Sequence, residues 1–333
     1  MPGRRRAVAL TCRGILGSHA LWRRPLQAVK RLRRGPLARV CQCCGRRQQL
    51  RSGSEGDRAE VGRVPWGPGY EELKDQIILS TLRDEPTMKA LAAGTPLPVG
   101  FGVGVDERCV EYPWLFARLP GGGGRLLDAG SGLNHPALLR HPLLREKKMH
   151  ILTLFPEQTC SWSEGISYLF EDLRASPMRD DLYDWIVCVS TLEHIGCDNS
   201  IYTGDKRFCE RKDDDYLVAM TEMRRMLRPG GQLFLTVPFG LYEHLGFQVQ
   251  FDEPMLERAA ACFGGTILSQ AFYRYSRDGW QLSTASDCAD CRYVGWIASA
   301  WRTGEWPEEI PREPDLAAAA RGVACLHLAK VTG

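Results

Sequence analysis

Beyond the glycine run Gly121–Gly124 the chain alternates short apolar runs with polar or helix-patterned stretches, and this alternation restricts the fold more than any other feature. Five runs read as strands: Arg125–Ala129, His150–Leu154, Tyr168–Glu171, Trp185–Val189 and Gln232–Val237. Near-continuous apolar strands separated by crossovers are the pattern of a parallel sheet covered on both faces. Between the last two runs, Tyr216–Leu227 carries Leu217, Met220, Met223, Met226 and Leu227 on one helical face, ended by Pro229-Gly230-Gly231. That methionine stripe reads as core. Ala271–Tyr275 and Gly322–Lys330 read as further strands added at one edge.

Upstream, Leu73, Ile77, Ile78 and Leu82 recur at helical spacing behind Glu71 and Glu72, which predicts a helix over about 70–84. A second helix is expected over Glu111–Leu119, with Pro113 in its first turn and Gly121–Gly124 as a stop and swivel. The expected organisation is a helical cap at 66–120 and the main α/β domain at 121–333. Ahead of both, the first 51 residues hold thirteen Arg, one Lys and no acidic residue, a charge of +14 against −11 for the remainder. Residues 1–65 therefore read as a basic, disordered leader. An anionic-surface arm, an organellar transit segment and sequence upstream of the true start all remain open for it. No apolar run approaches the length of a bilayer-spanning helix. Thirteen Cys, an odd number in a long chain, fit reduced thiols and a cytoplasmic, soluble protein. Cys41–Cys44 and Cys288–Cys291 have C-x-x-C spacing, but no spacing rule joins them and no metal site is expected.

The sharpest motif is L-L-D-A-G-S-G-L-N, Leu126 to Asn134. A strand ending in Asp128 and turning through Gly130 and Gly132 lets a ligand approach the backbone at the carboxyl end of the first strand. Alone it is also an ordinary glycine turn. Glu157 follows the second strand, where ribose hydroxyls would find a carboxylate, and Asp172 with Leu173 follows the third, where a purine amine would. A nicotinamide-dependent dehydrogenase would want its third glycine at His135.

The order D-A-G-S-G, then E-D-L-R-A-S-P-M-R-D-D-L-Y-D-W-I-V-C-V-S-T-L-E-H-I, then L-R-P-G-G-Q-L-F-L-T-V-P resembles the class I S-adenosylmethionine-dependent methyltransferases, in the style of the type 11 small-molecule group, over roughly residues 122–240. The resemblance implies a Rossmann-like seven-stranded sheet, mostly parallel with an antiparallel edge strand and helices on both faces. It implies S-adenosyl-L-methionine as cofactor, with Asp128, Gly130 and Gly132 along its methionine part, Glu157 on the ribose, and Asp172 with Leu173 at the adenine. Asn134 stands in place of the usual third glycine and is expected to add a polar contact. Some quinone-pathway relatives bind a divalent metal through a Glu three residues before the Glu-His pair; here that position is Ser190.

The implied reaction is methyl transfer to an oxygen or nitrogen of a small-molecule or sugar-containing acceptor. His194, past the end of the fourth strand, is the candidate base, and Glu193 the residue that orients it or the acceptor. Tyr242 and His244, with Asp198, Asn199 and Tyr202, are secondary candidates for the acceptor side. Two other readings stay open: a non-catalytic binding protein that keeps the fold, and an RNA methyltransferase guided by the leader. No RNA-binding motif supports the second, so a nucleic-acid partner is not expected.

Overall fold

The computed structural model describes residues 64–331, so nearly all of the expected leader, with Cys41, Cys43 and Cys44, lies outside the described residues. Ten strands form among the described residues: β1 Arg125–Ala129, β2 Lys148–Thr153, β3 Ser167–Phe170, β4 Tyr183–Val189, β5 Leu227–Pro238, β6 Glu243–His244, β7 Val249–Gln250, β8 Thr266–Ser276, β9 Gly279–Ser283 and β10 Gly322–Ala329. The longer helices are α1 Tyr70–Thr81, α2 Glu85–Ala93, α3 Arg108–Phe116, α4 Asp215–Met226, α5 Glu253–Phe263 and α6 Gly295–Thr303.

Eight strands make one sheet in the order β3-β2-β1-β4-β5-β10-β8-β9, and β6 pairs with β7 apart from it. β1 to β5 run parallel, whereas β10 runs antiparallel to both β5 and β8. The sheet is Rossmann-like, as the resemblance implies, with eight strands instead of seven. The eighth is β9, which turns back from β8 at Gly279, φ +86°, and forms the antiparallel edge. Gly322–Ala329 is an inner strand, inserted between β5 and β8. Its composition explains this: Val323, Ala324, Cys325 and Leu326 are all buried, so the strand needs cover on both faces.

Alternate residues of each strand supply two cores. Leu126, Val187, Phe234 and Cys325 face one side, where they meet Trp114 and Leu115 of α3, Leu91 of α2 and Ile297 of α6. Leu127, Ile186, Leu235 and Leu326 face the other, against Met220 and Met223 of α4 and Leu256 and Phe263 of α5. The methionine stripe is core, as its spacing predicts. The β1–β2 crossover holds only two single helical turns, Pro136–Leu139 and Pro142–Arg145, and β2 reaches β3 with no α-helix between them. The N-terminal helices and α6 therefore cover that face.

Local chemistry sets the helix ends. Asp84 accepts from the Thr87 amide at 3.0 Å and Gly94 closes α2 in the left-handed region; Asp252 and Gly264 do the same for α5. α3 begins at Arg108, earlier than the sequence suggests, because the Asp106 carboxylate accepts from the Arg108 amide at 3.1 Å. Pro113 consequently falls inside the helix. The Gly121–Gly124 run, expected as a swivel, is clamped: Lys147 Nζ donates to the Pro120 and Gly122 carbonyls at 2.6 and 3.1 Å.

Candidate active site

Parallel strands bring all their carboxyl ends to one side of the sheet, and a crevice opens where the strand order reverses, here between β1 and β4. Gly130, just past β1, has φ +110°, and a Cβ there would overlap the side chain of Thr191, just past β4. The two loops touch at the switch point only because residue 130 has no side chain. Gly132 lies less closely against Val189, where a Cβ would come within 3.0 Å of the Val189 carbonyl oxygen, and its own carbonyl accepts from Tyr112 Oη of α3 at 2.7 Å. Ser131 and Ser190, at the two lips of the crevice, both have positive φ, 67° and 38°. Such strained residues gather where a site over-determines the backbone.

Asp128 is wholly buried. Its Oδ2 accepts from the Leu133 amide at 2.8 Å, while Oδ1 has no hydrogen-bond partner among the described residues; the buried Ser131 hydroxyl has none either. Burial raises the Asp128 pKa to about 7; the charge of Glu157 adds to the rise, and the Leu133 and Gly132 amides oppose it. Among the described residues no cation pairs with this carboxyl, though the charge of Arg108 acts on it in the lowering sense.

The neighbouring predicted residues have defined tasks. Asn134 donates to the Thr159 carbonyl at 3.1 Å and accepts from Tyr168 Oη at 2.8 Å, tying the glycine loop to the segment after β2. Glu157 sits half-buried in that segment, four positions past β2, close enough for its charge to act on Asp128. Asp172 caps the turn Leu173–Ala175 through the Arg174 amide at 2.8 Å, and both its oxygens accept from the Arg174 guanidinium. Arg174 also reaches Glu210 and Asp215, at 2.6 and 2.5 Å. Burial alone would raise the Asp172 pKa; the Arg174 bonds outweigh it and hold the group below the usual range. Leu173 is buried in the α4-side core. The structure thus gathers Asp128, Gly130, Gly132, Asn134 and Glu157 around the crevice, and it engages Asp172 with Arg174.

Past β4, Glu193 is 1% exposed and its Oε2 has no partner among the described residues. Burial drives its pKa well above the carboxylate range. His194 Nδ1 lies 2.9 Å from the Phe247 carbonyl, which assigns the proton to Nδ1 and leaves Nε2 as the basic nitrogen. Burial, helped by the positive charge of Arg108 and opposed by the Phe247 bond, lowers this imidazole to about 4. Of the secondary candidates, Asn199 bonds the His194 and Cys197 carbonyls, Asp198 bonds Ser200, and His244 accepts from the Gly246 amide. Tyr242 is exposed, and Tyr202 packs edge-on to the His194 ring at 5.4 Å.

Three residues of α3 reach this site and went unnoticed in the sequence. Arg108 Nη1 pairs with Glu111 at 2.5 Å, Glu111 accepts from the Ser190 hydroxyl at 2.6 Å, and Tyr112 holds Gly132. The available signal was Glu111 itself, a charge between Val110 and Trp114 in an apolar helix, three residues from an arginine.

Cys288 and Cys291 are buried free thiols, and no group of ligands able to hold a metal ion occurs among the described residues. No helix among them is long and apolar enough to cross a membrane. A cavity of about 410 Å³ lined by Leu139, Arg140, Lys147, Met149 and Ile166 lies at the amino end of β2 and β3, away from the crevice.

No protein-family model matches this sequence, and neither does any curated protein. Among solved structures, the chain is similar to the 1,6-didemethyltoxoflavin-N1-methyltransferase of Burkholderia thailandensis, at 13% identity and TM-score 0.40, covering 86% of this chain and 94% of that one. It is similar to the [4+2]-cyclase SpnF at 18% identity and TM-score 0.40, covering 78% and 97%. The N-methyltransferase NodS of Bradyrhizobium japonicum matches at 12% identity and TM-score 0.35, covering 63% and 88%.

Proposed function

We propose that the chain is an S-adenosylmethionine-dependent methyltransferase acting on an oxygen or nitrogen of a small-molecule or sugar-containing acceptor. The observation that carries this reading is the buried Asp128 carboxyl, whose Oδ1 has no partner among the described residues, beside a loop in which Gly130 admits no side chain. A buried carboxyl is stable there as a carboxylate only opposite a positive group. S-adenosylmethionine carries both a sulfonium and an ammonium, so the residues fit it.

Asp128 and the amides of the Gly130–Gly132 loop would hold the methionine part, Glu157 the ribose, and Leu173 with Asp172 the adenine side. Bound there, the cofactor supplies a methyl group already activated on sulfur, which leaves alignment and proton removal to the protein. His194, with a pKa of about 4, is neutral at physiological pH and a weak base; its Nε2 suits accepting a hydrogen bond that orients the acceptor. Glu193, pushed up by burial, is the stronger proton acceptor once ionised. The two residues expected from sequence are kept, with their roles exchanged.

The test is transfer of a labelled methyl group from S-adenosylmethionine to a panel of small hydroxyl- and amine-bearing compounds by the full chain. Label in an acceptor, lost in Glu193→Gln, supports the reading. Absence of label in every acceptor contradicts it.

A further inference from the structure

The side of the crevice beyond β4 is bounded by two arcs of side chains. One is aromatic: from His194 it passes through Tyr202 to Trp301, ring centroids 6.1 Å apart, then through Trp306 to Trp66, each step 5.9 Å. It ends at Tyr70, 5.1 Å from Trp66, whose hydroxyl donates to Asp106 at 2.8 Å. The other arc is acidic. Asp106 and Glu107 lead into α3 and Glu111 lies in its first turn, and the charges of Glu111 and Glu107 act on Glu193, the residue before His194.

Among the described residues two cations pair with these four buried carboxyls. Lys74 pairs with Asp106 at 3.1 Å and Arg108 with Glu111 at 2.5 Å. Glu107 accepts from the Ala320 amide at 3.2 Å, and its pKa is raised to about 8 by burial and by its acidic neighbours. Glu193 Oε2 faces no partner at all among the described residues. The indole N–H groups of Trp296 and Trp306 are likewise buried and unpartnered. Polar groups sealed in this way are normally satisfied, so these mark a place for a polar ligand.

The molecule also contains its own example of what such a surrounding holds. The Lys74 ammonium lies 5.7 Å from the Trp66 ring centroid and 5.2 Å from that of Tyr70, with the carboxylates of Asp106 and Glu71 beside it. An ammonium between ring faces and carboxylates is doubly stabilised. At the opposite end of the arc the charge of Glu193 acts on Tyr202, whose ring lies 6.1 Å from that of Trp301. Tyr202, 47% exposed, is the member of the arc nearest to solvent.

We propose that the acceptor is an amine, bound in its protonated form with the nitrogen at Glu193 and its carbon frame against the aromatic arc of Tyr202, Trp301 and Trp306. The inference rests on the methyltransferase reading for its catalytic meaning, though the amine site itself is built from residues of this chain. The ammonium displaces the Glu193 proton to solvent and leaves a carboxylate–ammonium pair; the carboxylate then takes one proton back from the ammonium, which restores the neutral carboxyl and frees the nitrogen lone pair. An alcohol of the same shape offers no charge to Glu193 and binds without that gain.

The test is titration of 2-phenylethylamine and of its isostere 2-phenylethanol into the full chain, followed by tryptophan emission. Saturable binding of the amine, at least tenfold tighter than the alcohol, is expected, and Glu193→Gln should bring the amine to the level of the alcohol with circular dichroism unchanged. Equal binding of both compounds by the unmutated chain overturns the inference, as does a preference that survives in Glu193→Gln. A parallel titration with S-adenosylhomocysteine separates the two claims. Homocysteine-product binding without amine preference sinks the amine site alone, and amine preference without it sinks the methyltransferase reading alone.

Discussion

Ser190, the first residue past β4, donates its hydroxyl at 2.6 Å to Glu111 of α3, 79 positions earlier in the chain. One buried carboxylate thus joins the N-terminal helices to the crevice, with Arg108 on its other oxygen. Glu111→Ala leaves the Arg108 charge unpaired. Breaking a buried pair costs roughly 3–5 kcal/mol, and with Arg108 about a quarter exposed the lower end applies, a Tm loss of about 6–12 °C by circular dichroism. Ser190→Ala removes only a neutral donor and should cost about 1–3 kcal/mol. Equal, negligible effects of both would deny the link.

Asp128 keeps its proton to about pH 7 when folded, against about pH 4 when unfolded. Between those values the folded state binds more protons, so this group lowers stability as pH rises from about 4 to 7. A cationic ligand reverses the preference by favouring the carboxylate. S-adenosylmethionine binding at about pH 6 should therefore release close to one proton, read as different calorimetric heats in buffers of different ionisation enthalpy. Asp128→Asn should release none from this site, and buffer-independent heats for the native chain would count against the assignment.

His194 behaves in the opposite sense. Its folded pKa of about 4 lies below the unfolded value of about 6.5, so the unfolded chain gains the proton first and stability falls as pH drops from about 6.5 through 4. Its Hε1 resonance should stay flat from pH 8 to about 5.5. A midpoint near 6.5 would mean that the ring is neither desolvated nor held by the Phe247 carbonyl.

Gly130→Ala places a Cβ into Thr191 at a φ of +110°, so both sterics and backbone oppose it. Strain of this kind costs about 1–3 kcal/mol before the overlap is counted. Trimming Thr191 to Gly relieves the overlap but not the strain, so the double variant should recover only part of the lost stability and cofactor binding. Full recovery would show that contact alone demands the glycine.

The strands were legible because burial on both faces writes apolar runs directly into the sequence: β1 is matched end to end and β2 to β4 differ only at their ends, whereas β5 extends back to Leu227 through Pro229-Gly230-Gly231, expected as the stop of the preceding helix. β9 was not, since Gly279–Ser283 mixes Gln and Ser with Trp and Leu and is defined by pairing with β8. Helices α2, α5 and α6 were missed for a related reason, because short helices owe their stability to packing more than to pattern. In the site, Asp128 and the glycines could be read from local spacing. Glu111 could not, since its role depends on a contact with Ser190 that no local pattern encodes. Asp172 was found, but its partner Arg174, with Glu210 and Asp215 around it, emerges only from the fold.

The central claim is that the crevice between β1 and β4 binds the methyl-donor cofactor through Asp128. Isothermal titration of S-adenosylhomocysteine into the full chain tests it most directly. The account predicts saturable one-site binding, weakened at least tenfold in Asp128→Asn, as expected when a charge-assisted hydrogen bond worth roughly 1.5–3 kcal/mol is lost. No saturable heat with the native chain, or equal affinity in the variant, would contradict it.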